Sequence, residues 1–185
     1  MIKKQNYLKH AIVLFLLLLL MQPERAWAAY ENVEFSSLTN HDGLTNSQVG
    51  AILKDTRGYI WFGTQSGLCR FDGFRMKTFY YSNTDDKSLP NNSVDELQQD
   101  YDGNIWVHTS VGYSIYKYDE EQFERKPEEW LKNIHVQGPP YKLLIDKDKN
   151  MWIAVYGQGL FFHNAKTKNT YLFKFTKKAQ PGCLK

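Results

Sequence analysis

The chain has 185 residues, 42% of them hydrophobic and 15% aromatic, which is enough for one domain with a sizeable core. Four of its 23 basic residues and one of its 20 acidic residues lie in the first 28 positions, so 19 of each remain in the body. A neutral body gives no electrostatic reason to expect a nucleic acid or an anionic membrane surface as a partner.

The first 28 residues have the pattern of a secretory signal peptide. A basic start precedes an apolar run from Ala11 to Met21, and Ala26-Trp27-Ala28 ends the segment as a small-x-small cleavage site. The apolar run is shorter than the roughly 20 residues that cross a bilayer. We predict a cleaved signal peptide over residues 1–28 and a periplasmic protein. A retained membrane anchor is the alternative.

The two cysteines, Cys69 and Cys183, lie far apart in the sequence. Export permits a disulfide without requiring one. Because Cys69 falls in a predicted strand, we expect it to be a buried free thiol.

Three tryptophans, Trp61, Trp106 and Trp152, recur at spacings of 45 and 46 residues. Each follows an aspartate and a short polar turn, as in the segment from Asp55 to Ile60, and each precedes a glycine and a further hydrophobic segment. A fixed period of this length with one aromatic anchor per unit indicates an array of small β-sheets.

The first unit divides into four short strands. Ile60 and Phe62 face one side of the second strand and Trp61 faces the other, so both faces of the sheet are apolar. This is typical of a sheet stacked between two neighbouring sheets, and four antiparallel strands in about 45 residues make one propeller blade. The predicted strands are Val49–Lys54, Tyr59–Thr64, Leu68–Asp72 and Phe74–Phe79.

The predicted fold class is all-β, a partial β-propeller of about three four-stranded antiparallel blades preceded by a signal peptide. All three repeat tryptophans are expected to pack between blades. Val33-Glu34-Phe35 has the alternation of a strand that could close a last blade. The predicted organisation is 1–28 signal peptide, 29–43 closing strand and lead-in, 44–88 first blade, 89–140 second blade, 141–175 third blade and 176–185 tail.

The third unit departs from the pattern. Lys149 stands where the first two units have Gly58 and Gly103, and a side chain in a left-handed turn is strained by roughly 1 kcal/mol or more. We therefore expect either Asn150 to take the special position or the turn to have another shape. One extra residue before Gly159 predicts a bulge in the second turn.

The unit resembles the two-component regulator propeller repeat. The resemblance rests on three segments: Leu44-x-Asn46-x-x-Val49, the core from Asp55 to Thr64, and the final segment of the motif from Gly67 to Asp72. It extends over about Val33 to Phe175. In that family the repeats build the periplasmic sensors of hybrid two-component histidine kinases, typical of gut Bacteroidetes. The resemblance implies carbohydrate sensing and signal transduction by phosphorelay.

We therefore expect the amino-terminal piece of a periplasmic glycan sensor, a fragment without kinase segments and not itself an enzyme. The implied partners are an oligosaccharide and either a second copy or the missing blades. The membrane is implied only through an uncleaved signal segment or the remainder of the sensor. An exported propeller scaffold for protein–protein interaction, or a non-functional truncated gene product, is the alternative.

Two turns resemble the start of a calcium loop. Asp100-x-Asp102-x-Asn104 and Asp146-x-Asp148-x-Asn150 place oxygen ligands at alternate positions. The twelfth position, where a bidentate glutamate is needed, is Val111 in one and Gly157 in the other. We predict turn-capping carboxylates, with no metal and no cofactor.

No pair of carboxylates indicates hydrolysis. Asp102 to Trp106 resembles the Asp-box turn of sialidase propellers, which is structural in that family. Glycoside cleavage needs two carboxylates beside the scissile bond. The acidic run of Glu120, Glu121, Glu128 and Glu129 is predicted to be a solvated loop, and no catalytic residue is assigned.

Two long connections, Tyr80 to Pro90 and Glu128 to Pro140, are the predicted place for binding residues. Aromatic rings in or beside such loops either stack on sugar faces or pack locally. The sequence does not locate the site. The candidates are Tyr80, Tyr81, Trp130, Tyr141 and Tyr156 as stacking rings, and Gln65, Tyr156 and Gln158 as hydrogen-bonding side chains.

Overall fold

The computed structural model describes residues 35–174, and from Ser37 onward these residues form one compact unit of three four-stranded antiparallel sheets. The predicted signal peptide, Val33, Glu34 and the predicted tail lie outside the described residues. The first sheet holds β1 (Val49–Lys54), β2 (Ile60–Thr64), β3 (Gly67–Phe71) and β4 (Met76–Phe79). The second holds β5 (Val94–Gln99), β6 (Ile105–Thr109), β7 (Gly112–Lys117) and β8 (Gln122–Glu124). The third holds β9 (Pro140–Ile145), β10 (Met151–Val155), β11 (Gly159–His163) and β12 (Thr170–Phe173).

Each sheet is a meander in which consecutive strands pair as neighbours. The all-β class and the repeated four-stranded sheets confirm the predicted fold. The strands of the first sheet begin and end within two residues of their predicted bounds.

An aspartate organises the turn between the first two strands of each sheet. In the first sheet Asp55 Oδ1 accepts from the backbone N–H groups of Arg57 and Tyr59, and Asp55 Oδ2 accepts from Trp61 Nε1 at 2.7 Å. The second sheet repeats the arrangement, with Trp106 Nε1 donating to Asp100 Oδ2 at 2.9 Å. One carboxylate thus fixes both the turn and the orientation of the indole.

The turn of the third sheet keeps the same shape, so both alternatives expected for it are wrong. Lys149 itself adopts the left-handed conformation with a φ of 65°, as Gly58 and Gly103 do at 93° and 85°. Asp146 accepts from the backbone N–H groups of Asp148 and Asn150 at 2.9 and 3.0 Å. The extra residue lies in the turn before Gly159, which has three residues where the first two sheets have two, and β10 pairs with β11 without a register shift.

Two hydrophobic cores separate the three sheets. Trp61 of the first sheet and Leu97, Val107 and Tyr116 of the second belong to the first core. In the second core, Trp106 is buried among side chains of the third sheet. Each buried tryptophan therefore points toward the sheet that follows it. The third-sheet residues of that second core are Leu143, Met151, Ile153, Val155 and Phe161.

Trp152 is half-buried rather than buried, so the prediction that all three tryptophans pack between sheets is wrong for this residue. Its ring contacts Phe162 and Phe173 of its own sheet, at centroid distances of 4.5 and 6.4 Å. The described residues place no further sheet beyond this one. The Trp152 indole therefore has the same orientation as those of Trp61 and Trp106, but no described sheet covers it.

Side chains of β5 join neighbouring sheets by hydrogen bonds. Gln98 Nε2 donates to the Leu143 carbonyl at 2.8 Å, and Gln98 Oε1 accepts from the Ile145 N–H at 2.5 Å. Gln99 makes two hydrogen bonds to Thr56 in the aspartate turn of the first sheet, each 3.0 Å long. Its Oε1 accepts from the Thr56 backbone N–H, and its Nε2 donates to the Thr56 hydroxyl. The two glutamines therefore link the second sheet to both neighbours.

The connection from the second to the third sheet is partly helical. Helix α1 (Pro127–Leu131) continues into a 3₁₀ turn (Lys132–Ile134), where a loop was predicted. Leu131, Ile134 and Val136 are buried in the second core, and this burial holds the segment against the sheets. Among residues 35–174, no helix has the length and the apolar stretch needed to cross a bilayer.

Candidate ligand-binding surface

The two ends of each sheet carry different connections. In a four-stranded meander the turn between the first two strands and the turn between the last two lie at one end, where the aspartate turns are found. The turn between the middle strands and the connections between sheets lie at the other. We call this second end the crossover end.

A groove of about 730 Å³ lies at the crossover end of the third sheet. This volume is within the range of small-molecule sites, about 300–1,000 Å³. Tyr156, in the turn between β10 and β11, is 91% exposed, and Tyr141 at the start of β9 is 75% exposed. Both rings can therefore be reached by a ligand. The groove is lined by Tyr141, Ala154, Tyr156, Gln158, Leu172 and Lys174, among others.

Gln158 is held in place at the edge of the groove. Its Nε2 donates to the Gln137 carbonyl at 2.7 Å, and a Cβ on Gly138 would lie only 3.4 Å from the same Nε2. Lys174, directly after β12, also lines the groove and supplies a positive charge. The groove thus combines two aromatic surfaces, an oriented amide and one cation.

A polar cluster lies at the same end on the second sheet and joins the third. His108 Nδ1 lies 2.6 Å from Asp95 Oδ1, and Tyr113 donates its hydroxyl to Glu96 at 3.3 Å. Lys142, next to Tyr141 of the groove, forms an ion pair with Glu96.

Burial raises the pKa of the Tyr113 phenol to about 12, although the Leu143 N–H, which donates to its oxygen at 3.0 Å, acts in the opposite direction. The Tyr113 hydroxyl therefore stays protonated at neutral pH. Its role is to donate to Glu96 while accepting from the third sheet, so it ties the two sheets together at the crossover end.

The structure brings three of the sequence candidates together and separates the others. Tyr141, Tyr156 and Gln158 line one groove. Gln65 lies at the crossover end of the first sheet, where its Oε1 accepts from Ser93 at 2.8 Å. Tyr80 and Tyr81 are exposed beside the first sheet, outside the groove.

Trp130 is not a loop aromatic available for stacking. It lies in helix α1 and packs edge-on against Trp106, with ring centroids 5.4 Å apart, and against Tyr101 at 6.1 Å. Its indole belongs to the margin of the second core. For Trp130 the local-packing interpretation is confirmed.

The acidic run is only partly a solvated loop. Glu121 joins two sheets, because its carboxylate pairs with Lys77 at 2.6 Å and with Arg70 at 3.3 Å, both on the first sheet. Glu128 and Glu129 lie in the first turn of helix α1, where carboxylates interact favourably with the helix dipole. The prediction of a solvated loop is confirmed for Glu121, which lies in an exposed turn, and is wrong for Glu128 and Glu129, which are helical.

The calcium-like turns use their carboxylates internally. Asp100 Oδ1 accepts from the backbone N–H groups of Asp102 and Asn104, both at 2.9 Å, which confirms the turn-capping interpretation. Burial raises the pKa of Asp100, opposed by the hydrogen bonds from Trp106 and Asn104. Over the described residues, no group of three or more His, Cys, Asp or Glu side chains is arranged to hold a metal ion.

Cys69 is fully buried in β3, as predicted. Its Sγ lies 3.4 Å from the Thr45 N–H and 3.3 Å from the Thr45 hydroxyl. These contacts attach the segment before β1 to the first sheet. Cys183 lies outside the described residues.

Sequence reasoning missed Asp95, Glu96, His108 and Lys142 as a cluster. A polar residue on a strand gives no signal of the partner that it meets on another sheet. Alternation from Glu96 to Gln99 indicates that Glu96 and Gln98 face away from Leu97 and the first core, whereas the bulge between Val94 and Glu96, which brings Val94 to the same core as Leu97, interrupts the pattern.

Residues 43–66 and 88–110 match the sequence profile of the two component regulator propeller. Each matched segment contains the aspartate turn and the first two strands of one sheet. These two segments are copies of the two-component regulator propeller repeat. The third sheet lies outside the matched segments but has the same strand order.

Individual proteins resemble parts of this chain. Histidine kinase P4 of Formosa agariphila is 41% identical over 61 residues, which are 33% of this chain and 4% of that protein. The extracellular domain of the hybrid two component system BT3049 from B. thetaiotaomicron aligns with a TM-score of 0.53 and 23% identity, over 75% of this chain and 20% of that chain. The corresponding domain of BT4673 aligns with a TM-score of 0.41 and 17% identity, over 75% and 27%.

The chain therefore spans a small part of each of these proteins. At 23% identity, the likeness to BT3049 shows the fold alone, and the fold it shows is the stack of small sheets described above.

Proposed function

We propose that this chain is part of the ligand-sensing propeller of a periplasmic two-component sensor and that its ligand is a glycan. The observation that carries the proposal is the pair of two-component regulator propeller repeats at residues 43–66 and 88–110. The similarity to a histidine kinase and to the extracellular domain of a hybrid two-component system supports the same assignment. Export would follow from the predicted signal peptide over residues 1–28.

The groove at the crossover end supports a glycan as the ligand. Sugar rings present apolar C–H faces and a rim of hydroxyl groups. Tyr141 and Tyr156 offer exposed aromatic surfaces for the faces, while Gln158 and Lys174 offer polar groups for the hydroxyls.

The proposed role is binding without catalysis. A ligand held at the crossover end would act on the contacts between neighbouring sheets, such as Lys142 with Glu96 and Tyr113 with Leu143. A ligand shifts a conformational equilibrium only through its differential affinity for the two states. The shift would pass to a membrane helix and a kinase in other parts of the sensor.

Titration of the purified chain with defined oligosaccharides, followed by calorimetry, tests this function. We expect saturable binding to at least one of them and at least a tenfold loss of affinity for Tyr156→Ala. Phe74→Ala is the matched control, because Phe74 is 94% exposed in the turn at the opposite end of the first sheet. Equal loss in both variants, or no binding by any oligosaccharide, contradicts the proposal.

The exposed apolar faces of the first and third sheets favour a second candidate, an exported scaffold that binds protein partners. The scaffold would bind through sheet faces rather than through the groove. It predicts that Tyr156→Ala leaves partner binding unchanged while changes on the faces abolish it.

A further inference from the structure

The connection from the first sheet to the second folds into a compact loop against the outer edge of the second sheet. Tyr81 and Leu89, at its two ends, pair in an isolated parallel bridge, so the ends lie close together. Leu89 is fully buried in the first core. The Lys87 carbonyl accepts from the N–H of Phe123 on β8 at 2.8 Å, which places the connection beside that strand. We call residues 82–88 the outer loop; a compact surface loop with neighbouring ends is an Ω-loop.

A single arginine holds the outer loop. Arg125, directly after β8, donates through Nε to the Ser88 carbonyl at 2.9 Å and through Nη2 to the Ser88 hydroxyl at 2.6 Å. The same Nη2 lies 3.1, 2.9 and 3.2 Å from the carbonyl oxygens of Ser82, Asp85 and Leu89. In the described part of the chain no carboxylate forms an ion pair with Arg125. Its hydrogen-bond partners are therefore neutral oxygen atoms of the connection.

The remaining hydrogen bonds of the outer loop are mostly internal. The Ser88 hydroxyl accepts from the Ser82 N–H at 2.8 Å, and the Ser88 N–H donates to the Asp85 carbonyl at 3.2 Å. Among the described residues, the hydrogen bonds that join the outer loop to the second sheet and the residue after it come from Arg125 and from the Phe123 N–H. The outer loop thus has its own framework and few attachments to the sheets.

The outer loop lines a cleft of about 300 Å³ between the first two sheets. This volume is at the lower end of the range of small-molecule sites, about 300–1,000 Å³. Phe79 of β4 and Phe123 of β8 also line the cleft, with ring centroids 5.5 Å apart, and Phe123 is only 2% exposed. Movement of the outer loop away from β8 would therefore widen the cleft and uncover Phe123.

We propose that the outer loop is a hinged lid over this cleft, with Arg125 as its latch and the bridge between Tyr81 and Leu89 as its hinge. Because the internal hydrogen bonds of the loop do not involve the sheets, the loop can open as a unit while the sheets stay folded. Arg125 is a positioning residue in this arrangement. The inference is independent of the proposed ligand and of the groove on the third sheet.

Amide hydrogen exchange of the full chain, resolved by residue with NMR, tests the lid. Arg125→Met keeps an apolar stem and removes the donors. The amides of Ser82, Ser88 and Phe123 should then exchange faster by at least about tenfold, because charge-assisted hydrogen bonds are roughly twice as strong as neutral ones. The amides of the central strand β6 should keep their rates. Lys126→Met, at the exposed neighbouring position, should leave both sets unchanged.

Ser88→Ala tests the loop side of the latch without altering Arg125. It removes the hydroxyl that accepts from Arg125 Nη2, so the Phe123 amide, whose acceptor is the Lys87 carbonyl, should exchange faster while the β6 amides do not. If the β6 amides accelerate by the same factor as the lid amides, Arg125 acts on global stability and the inference is wrong. Unchanged exchange at Ser88 and Phe123 in Arg125→Met would also overturn it.

Discussion

Lys149 Nζ donates a hydrogen bond to the backbone carbonyl of Gln99, 3.1 Å away on the preceding sheet. A lysine in the left-handed turn is strained, and glycine would not be. The bond to Gln99 offsets part of that strain by joining the aspartate turn of the third sheet to the first strand of the second, β5.

The first prediction concerns this lysine. Lys149→Ala should lower the free energy of unfolding by about 0.5–1.5 kcal/mol, because it removes the hydrogen bond and keeps a strained side chain. Lys149→Gly should be more stable than Lys149→Ala by about 1 kcal/mol, because glycine relieves the strain. Urea unfolding measures both. At Lys147, exposed in the same turn, glycine should give no such advantage over alanine, and an equal ranking at both sites would contradict the explanation.

The second prediction concerns the close approach of the first two sheets. A Cβ at Gly63 would lie 2.6 Å from Val94 Cγ1, so Gly63→Ala should destabilise the protein by about 1–3 kcal/mol. Val94→Ala removes the clashing methyl group, so the double variant should be less destabilised than the sum of the two single changes. Additive free energies in this double-mutant cycle would show that the clash is not the cause.

The third prediction concerns the stability of the protein at acid pH. His163 Nδ1 bonds to the Thr170 hydroxyl at 2.9 Å, and that hydroxyl donates to the Ile134 carbonyl at 2.6 Å, so Nδ1 carries the ring proton. Within the described part of the chain Nε2 is buried without a hydrogen-bond partner. Burial, aided by the charge of Lys168, lowers the pKa of His163.

Because the unfolded chain binds a proton near pH 6.5 and the folded chain does so only at lower pH, stability should fall as the pH drops below about 6.5. Urea midpoints between pH 7.5 and 5 measure the slope. His163→Phe should flatten that slope, whereas His135→Asn, at an exposed position, should leave it unchanged. A slope that survives His163→Phe would rule out this histidine as the cause.

The fourth prediction concerns the stability of the protein at alkaline pH. Burial raises the pKa of Tyr101 and of Tyr113 to about 12, and for Tyr101 the nearby carboxylates of Asp102 and Asp100 act in the same direction. The unfolded phenols ionise near pH 10. The folded state should therefore lose stability between about pH 10 and 12, as the unfolded chain releases protons that the folded chain retains. Tyr101→Phe should reduce this loss in urea unfolding at pH 9 and 11, and Tyr156→Phe, at a fully exposed ring, should not.

The sequence predicted the sheets because each unit carries its own local pattern. Asp55 and Trp61 lie six residues apart in the chain and bond to each other, so their relationship is readable within one turn and one strand. The same holds for Asp100 and Trp106. Local elements of this kind can be predicted without knowing how the rest of the chain folds.

Contacts between sheets were not predictable in the same way. Gln98 meets Leu143 and Ile145 about 45 residues away, and nothing in its own strand indicates those partners. The exposure of Trp152 was not predicted for a related reason. Its repeat unit has the same pattern as the other two, and only the lack of a following sheet among residues 35–174 leaves the indole uncovered. The groove was predictable only in part. Tyr141 and Tyr156 were candidates from the sequence, but their proximity depends on the pairing of β9 with β10.

The indoles all point the same way along the stack, and this gives the molecule a polarity. A duplicated segment of some 45 codons would add a unit whose leading surface already fits the trailing surface of its neighbour. Proteins built from such repeats can therefore gain or lose units at the gene level without new surfaces having to evolve.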